Sequence, residues 1–238
     1  MAVSQVQICN LALSSIGTRS TIASLDEGSA EANQCALHYD AALDATLRGA
    51  HWNFARKQTD LALLADATQG QAVPQPWTYM YALPANCVLA RFVLPQTTAL
   101  GMPVPVAQQR PVPFIIGSTE DANGNDITAL LTNEPFAQLV YTGRITNPAI
   151  FDPSFVDAFV PVLGSKLAIP LTGEQGKRRD QLTIAQALLI SAQVSNGNEG
   201  LTVIDHQPDW MRVRGFAGDW IPDGAVWFNA PIALTPYD

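Results

Sequence analysis

The chain is short of charge. Charged residues fill 14% of its 238 positions, against roughly 25% in an ordinary soluble domain. Two surfaces fit that shortage: one buried against other protein chains, or that of a compact monomer rich in Ser, Thr and Gln. The charges present lean acidic, 21 Asp and Glu against 13 Lys and Arg, for a net −8. That balance argues against a grip on nucleic-acid phosphates, which takes clustered basic residues. Cysteine is scarce too: Cys9, Cys35 and Cys87 are odd in number and widely spaced, with no CxxC. They read as small buried hydrophobes in a reducing compartment, with no disulfide framework.

Other absences narrow the chemistry. His38, His51 and His206 are scattered without an HExxH pair, so no metal site is expected. Gly173-Glu-Gln-Gly176-Lys177 is too short for a phosphate-cradling loop, and no Gly-x-Ser-x-Gly elbow occurs. No cofactor is expected. No apolar run approaches the ~20 residues of a membrane span, and the N-terminus lacks a basic-then-apolar leader.

What is present is organised around Ser24 to Lys57. Ala32, Cys35, Tyr39, Ala42, Leu43, Thr46 and Leu47 recur at three- and four-residue steps, one buried face of a helix. Ser24-x-x-Glu27 has capping-box spacing and Ser29 is a second candidate cap, so two starts compete. Asp26, Glu27 and Glu31 suit the positive end of the helix dipole and Arg48 the negative end. Gly49 is a stop, with Trp52 and Phe54 just beyond it.

Residues 3–17 read as a first helix, with Val6, Cys9, Leu13 and Ile16 on one stripe and Gly17 as its end. The short link that follows predicts a helix hairpin. In residues 55–76, Leu61, Leu63 and Leu64 read as a short strand or a helical turn. Residues 77–84 and 87–94, rich in aromatic and β-branched types, read as strands. The proline-rich segment 95–113 is expected to be extended, at a sheet edge at best. Phe114 to Thr119, Ile127 to Thr132 and Phe136 to Arg144 read as a three-stranded meander with Asn123-Gly124 in its first turn. Asp152-Pro153 is a strong helix start, with Phe155, Phe159, Val162 and Leu163 inward and a kink predicted at Pro161. Thr172-x-x-Gln175 matches a second capping box, before a helix with Leu182, Ala185, Leu189 and Ala192 inward and a stop near Gly197.

The expected class is α+β. A helical bundle (1–76 and 145–197) holds an inserted antiparallel sheet region (77–144), and an extended C-terminal arm covers 198–238. The arm carries Trp210, Trp220 and Trp227, large rings on a segment without a period of its own, which need a surface to dock on. That surface is either the arm's own domain or a neighbouring subunit, the low charge content favouring the neighbour. The carboxylate pairs Asp26 with Glu27 and Asp40 with Asp44 leave a cell-wall glycan hydrolase as an alternative, although Asp40 and Asp44, one helical turn apart, read most simply as a solvated face. Asp121-x-Asn123-Gly124-Asn125-Asp126 is oxygen-rich, but its glycine falls early for a calcium loop and Thr132 stands where Glu is needed, so it reads as a hairpin turn. Lys177-Arg178-Arg179 is the basic cluster, either a solvated turn or a contact with an acidic neighbour.

Two blocks carry a resemblance. The first is the order Ile16-Gly17, Ser24-Leu25-Asp26-Glu27, Ser29-x-Glu31-Ala32, Tyr39-Asp40 and Trp52-Asn53-Phe54-Ala55. The second runs from Asn147-Pro-Ala-Ile-Phe-Asp-Pro-Ser-Phe-Val156 to Ile169-Pro-Leu-Thr-Gly173. Over roughly residues 8 to 195 this order resembles the head–tail adaptor proteins of tailed phages, the tail tubular protein A group and head-completion proteins of short-tailed phages. The resemblance implies a structural protein without enzymatic activity, forming a dodecameric ring between the portal and the tail nozzle. Its partners would be the portal protein, the nozzle protein and itself. DNA would pass through an acidic lumen without specific binding and no membrane would be involved. It would sit in the neck of the virion, and in the host cytoplasm during assembly. Family arms engage the portal, which puts Trp210, Arg212, Arg214, Phe216, Trp220 and Trp227 forward as contacts. A tail structural protein without portal contact is the further alternative.

Overall fold

In the computed structural model of the chain, residues 3–94, 98–99, 102–103, 112–120 and 124–198 are described. The chain is an α+β protein. Four helices are α1 (Gln5–Ser15), α2 (Ala30–Gly49), α3 (Pro153–Thr172) and α4 (Gln175–Asn198). Between the helix pairs run β1 (Arg56–Asp60), β2 (Ala62–Asp66), β3 (Tyr79–Ala82), β4 (Cys87–Leu94), β5 (Thr98–Ala99), β6 (Met102–Pro103), β7 (Phe114–Glu120), β8 (Asp126–Thr132) and β9 (Gln138–Gly143).

Local signals set the helix ends. The Ser4 hydroxyl accepts from the Gln7 amide at the start of α1. At its end Gly17 adopts φ +78°, which a side chain would resist. The Thr18 amide then reaches the Leu13 carbonyl and the Gly17 amide that of Ser14, closing two otherwise orphaned acceptors. For α2 the competition resolves to Ser29, whose hydroxyl accepts from the Ala32 amide, a cap worth about 1 kcal/mol. The Ser24–Glu27 pair serves the turn before it, the Glu27 carboxylate accepting from the Ala23 and Ser24 amides and from the Ser29 hydroxyl. These bonds pull the Glu27 carboxyl below its usual range, the Ser29 hydroxyl most strongly. α3 starts as expected, with Asp152 as cap and Pro153 in the first turn. Helical structure continues through Pro161 and Pro170 to Thr172. Thr172 is not a cap for α4. It ends α3, donating its hydroxyl back to the Ala168 carbonyl at 2.6 Å, and Gly173 at φ +70° makes the turn.

The bundle centres on α3, which packs against α1, α2 and α4, whereas α1 and α2 meet only slightly. The hairpin expected of the first two helices is therefore held mostly by a third. By length and composition α3 is the described helix long and apolar enough to cross a bilayer, contrary to the expectation that none is. In this fold that apolarity faces protein: Phe155, Phe159, Leu163 and Leu167 are fully buried. Gly164 lets the neighbours come close, since a Cβ there would lie 2.9 Å from Ser15 Oγ. The seven apolar-face residues expected of α2 are the seven that are buried. Cys9 and Cys35 are free and fully buried, and Cys87 is free and half-buried.

On α4 Ala185 and Ala192 are buried and Leu189 packs on the core as expected, and Leu182 alone departs. Gln181 is buried and Leu182 is 41% exposed. The reason is polar: the Gln181 amide donates to the Ser15 carbonyl at 3.0 Å, at the end of α1 where helical partners run out. Asn196 likewise accepts from the Asn53 amide and receives its side chain on the backbone, tying α4 to the segment after α2.

The strands depart most from expectation. They form a sheet of order β1-β9-β4, another of order β2-β3-β8-β7, and the short pair β5-β6, all antiparallel. The meander fails at its third strand: β7 and β8 pair from Phe114↔Thr132 to Glu120↔Asp126, but β9 crosses to the other sheet. β1 and β2, assigned above to the helical half, belong to the two sheets and are separated by Leu61 alone. A small second core takes Tyr81, Val93, Leu130, Leu139 and Tyr141 from both sheets. The Tyr81 hydroxyl clamps the β8–β9 crossing by donating to the Glu134 carbonyl and accepting from the Phe136 amide. The C-terminal arm, with every residue beyond 198, lies outside the described residues.

Candidate interaction surfaces

The two sequence blocks that carry the resemblance meet in space. Phe155, from the second block, is ringed by Trp52 and Phe54 of the first at centroid distances of 4.9 and 5.0 Å. Phe151 and Phe159 close the other sides at 4.9 and 5.6 Å, with Tyr39 edge-on to Phe159. The Trp52 indole donates to the Thr46 carbonyl at the end of α2, so the ring is fixed as well as packed. These residues tie the segment after α2 and the start of α3 into the bundle core.

An outer face of the bundle lies on α4. From Gln181 to Asn198 the helix has no charged residue. Opposite its packed seam stand Ile184, Ile190 and Val194, the last two 64% and 62% exposed. An amphipathic helix normally turns charge to water. Here the outward face is uncharged, its exposed Ile184, Ile190 and Val194 standing among Thr183, Gln186, Ser191 and Gln193.

At the start of the same helix the basic cluster is split. Lys177 reaches Glu174 at 3.3 Å, which offsets its unfavourable place at the helix N-terminus. Arg178 and Arg179 are exposed, and neither is in an ion pair among the described residues.

Two arginines mark the junction of bundle and sheets, and their settings are opposite. Arg144, just after β9, holds Asp44 at 2.7 Å and Asp40 at 3.1 Å. The Asp44 hydrogen bond and both negative charges push its guanidinium up. One of the carboxylate pairs weighed for hydrolysis is thus bound to a single cation, with Asp44 and Arg144 lining a cleft of about 390 Å³ beside Arg48, Asn86 and Cys87. Arg91, on β4, instead donates to the Thr142 hydroxyl at 3.0 Å and to the Trp52 carbonyl. Burial first, and then the nearby Arg56, push it down to about 10. His51 is lowered likewise by its own burial and by Arg91. Composition gives no sign of Arg91, because its distinction lies in what surrounds it.

Trp210, Arg212, Arg214, Phe216, Trp220 and Trp227 lie outside the described residues. Among the described residues no group of three or more His, Cys, Asp or Glu stands in a metal-holding arrangement. No protein-family model matches the chain, and no curated protein does.

Proposed function

We propose that this chain is a structural head–tail adaptor of a tailed phage, a non-enzymatic protein that forms a ring between portal and tail nozzle and continues the DNA channel. The observation that carries the reading is the ordered pair of sequence blocks resembling that family, which also pack on one another around Phe155. The neutral outer face of α4 supports it as well, since Ile184, Ile190 and Val194 suit a protein neighbour better than water. The net charge of −8 suits a lumen that lets DNA slide. The C-terminal segment with Trp210, Arg212, Arg214, Phe216, Trp220 and Trp227 supplies the portal contact, its rings and guanidinium groups being the side chains that most often anchor interfaces. Lys177, Arg178 and Arg179 face an acidic patch of a neighbour in the ring.

The test is the mass of the purified chain in solution, alone and mixed with portal rings. Joining the portal in fixed stoichiometry, and losing that on removal of residues 205–238, is the expected result. A chain that ignores the portal in both forms sinks the adaptor reading and moves weight to a tail structural protein.

A further inference from the structure

Charges drawn into a protein are ordinarily paired. Arg91 is in no ion pair among the described residues. It sits half-buried on β4 where the register with β9 shifts between Ala90 and Phe92, a bulge that re-aims the side chain. Its acceptors, Thr142 Oγ1 and the Trp52 carbonyl, are both neutral. The ion pairs among the described residues belong to Arg144 and Lys177. The charged neighbour of Arg91 is a second cation, Arg56, whose guanidinium lies 5.7 Å from the Phe92 ring centroid. His51 stands beside them. Two arginines and an imidazole thus gather without an ion pair among the described residues, in a chain whose acids outnumber its bases 21 to 13.

The two bonds also fix a geometry. They occupy Nε and one proton of Nη2, which locks the guanidinium plane. Among the described residues Nη1 makes no hydrogen bond, and Nη1 with Nη2 forms a two-pronged donor matched to a carboxylate. Held by a carbonyl and a hydroxyl, it loses little freedom when a ligand arrives.

We propose that Arg91, with Arg56 beside it, receives a side-chain carboxylate from a second copy of this chain. The proposal rests on the ring reading above and deepens it by naming a contact between neighbours. A protein carboxylate fits better than a nucleic-acid phosphate, because a single recessed fork takes one acid, whereas a backbone track needs a row of cations. Each copy has carboxylates to offer, since Asp40, Asp44 and Glu174 are the described acids held in ion pairs.

The experiment compares the full-length chain with Arg91→Gln and Arg91→Lys, reading self-assembly by mass photometry, with and without portal rings, and folding by thermal unfolding. Arg91→Gln is expected to weaken assembly about tenfold or more, the loss typical of a removed interfacial charge pair. Arg91→Lys, which keeps the charge but not the fork, is expected to recover only part of it. Arg19→Gln, on an exposed arginine of the α1–α2 link, is expected to leave assembly unchanged. Should Arg91→Gln fail to fold, the exposed Arg56→Gln carries the test, with a several-fold loss expected. Rings that form equally well with folded Arg91→Gln overturn this inference and leave the ring reading standing. A wild-type chain that never self-associates, alone or on the portal, takes down the ring reading and this contact together. Retention of duplex DNA that disappears in Arg91→Gln assigns the fork to a phosphate and overturns the carboxylate.

Discussion

The helical half and the sheet half differ in how large a core they close. In the bundle, α3 presents apolar side chains to three neighbours and the aromatic cluster around Phe155 ties in the segment after α2. In the sheets a small core forms around Leu130 and Leu139, while Leu63, Ile115, Ile116 and Phe136 remain exposed. Phe136 is an extreme case, 69% exposed at φ +122°, a backbone region that bulky residues rarely adopt. The difference is one of extent, the bundle closing a large core around α3 and the sheets only a small one. Both halves keep some apolar residues on the surface, Leu37 and Ile190 in the bundle and Ile116 and Phe136 in the sheets.

Substitutions break or sharpen that contrast. Phe155→Ala is expected to cost about 3–5 kcal/mol, the upper range for a fully buried aromatic, and to lower the midpoint of chemical denaturation for the whole chain. The matching change in the sheet core, Leu139→Ala, is expected to cost about 2–4 kcal/mol. Hydrogen exchange should place its effect mainly in β4, β8 and β9. An equal, global effect from both would show that the two halves unfold as one unit.

Next come two glycines. Gly164→Ala pushes a Cβ to 2.9 Å from Ser15 Oγ and 3.3 Å from Gln181 Oε1, between packed helices. It is expected to cost about 1–3 kcal/mol. Gly143→Ala meets the Lys57 side chain at 2.7 Å, but those are the methylenes of a flexible chain, so a thermal melt should show less than about 1 kcal/mol. Equal losses would mean that the helix contact is no tighter than the sheet surface.

Arg144→Gln removes the links to Asp40 and Asp44, all on partly exposed side chains. Screened in this way, the links are worth about 0.2–1 kcal/mol, and the difference from the parent chain should shrink in high salt. The smallest effect belongs to Tyr39. Its hydroxyl is buried without a hydrogen-bond partner among the described residues, and burial raises the phenol above its ordinary range. Tyr39→Phe removes that unsatisfied group while keeping the ring on Phe159, so denaturation should show no loss and a gain of up to about 1 kcal/mol. A clear loss would reveal a partner for the hydroxyl.

What the sequence by itself determined is local. Seven residues at helical spacing fixed the buried face of α2, Asp152-Pro153 the start of α3, and Gly17 the end of α1. Each of these signals acts over one or two turns of chain, and neighbours in sequence suffice to satisfy it. Tertiary structure decided which strand pairs with which, because β9 joins β1 and β4 through hydrogen bonds that no local period encodes. It also turned Gln181 inward in place of Leu182, for an unpaired carbonyl at the end of α1 is visible only once α1 and α4 are side by side. The same holds for the two arginines at the junction. As letters they are alike, and only folding gave Arg144 two acids and Arg91, among the described residues, two neutral acceptors.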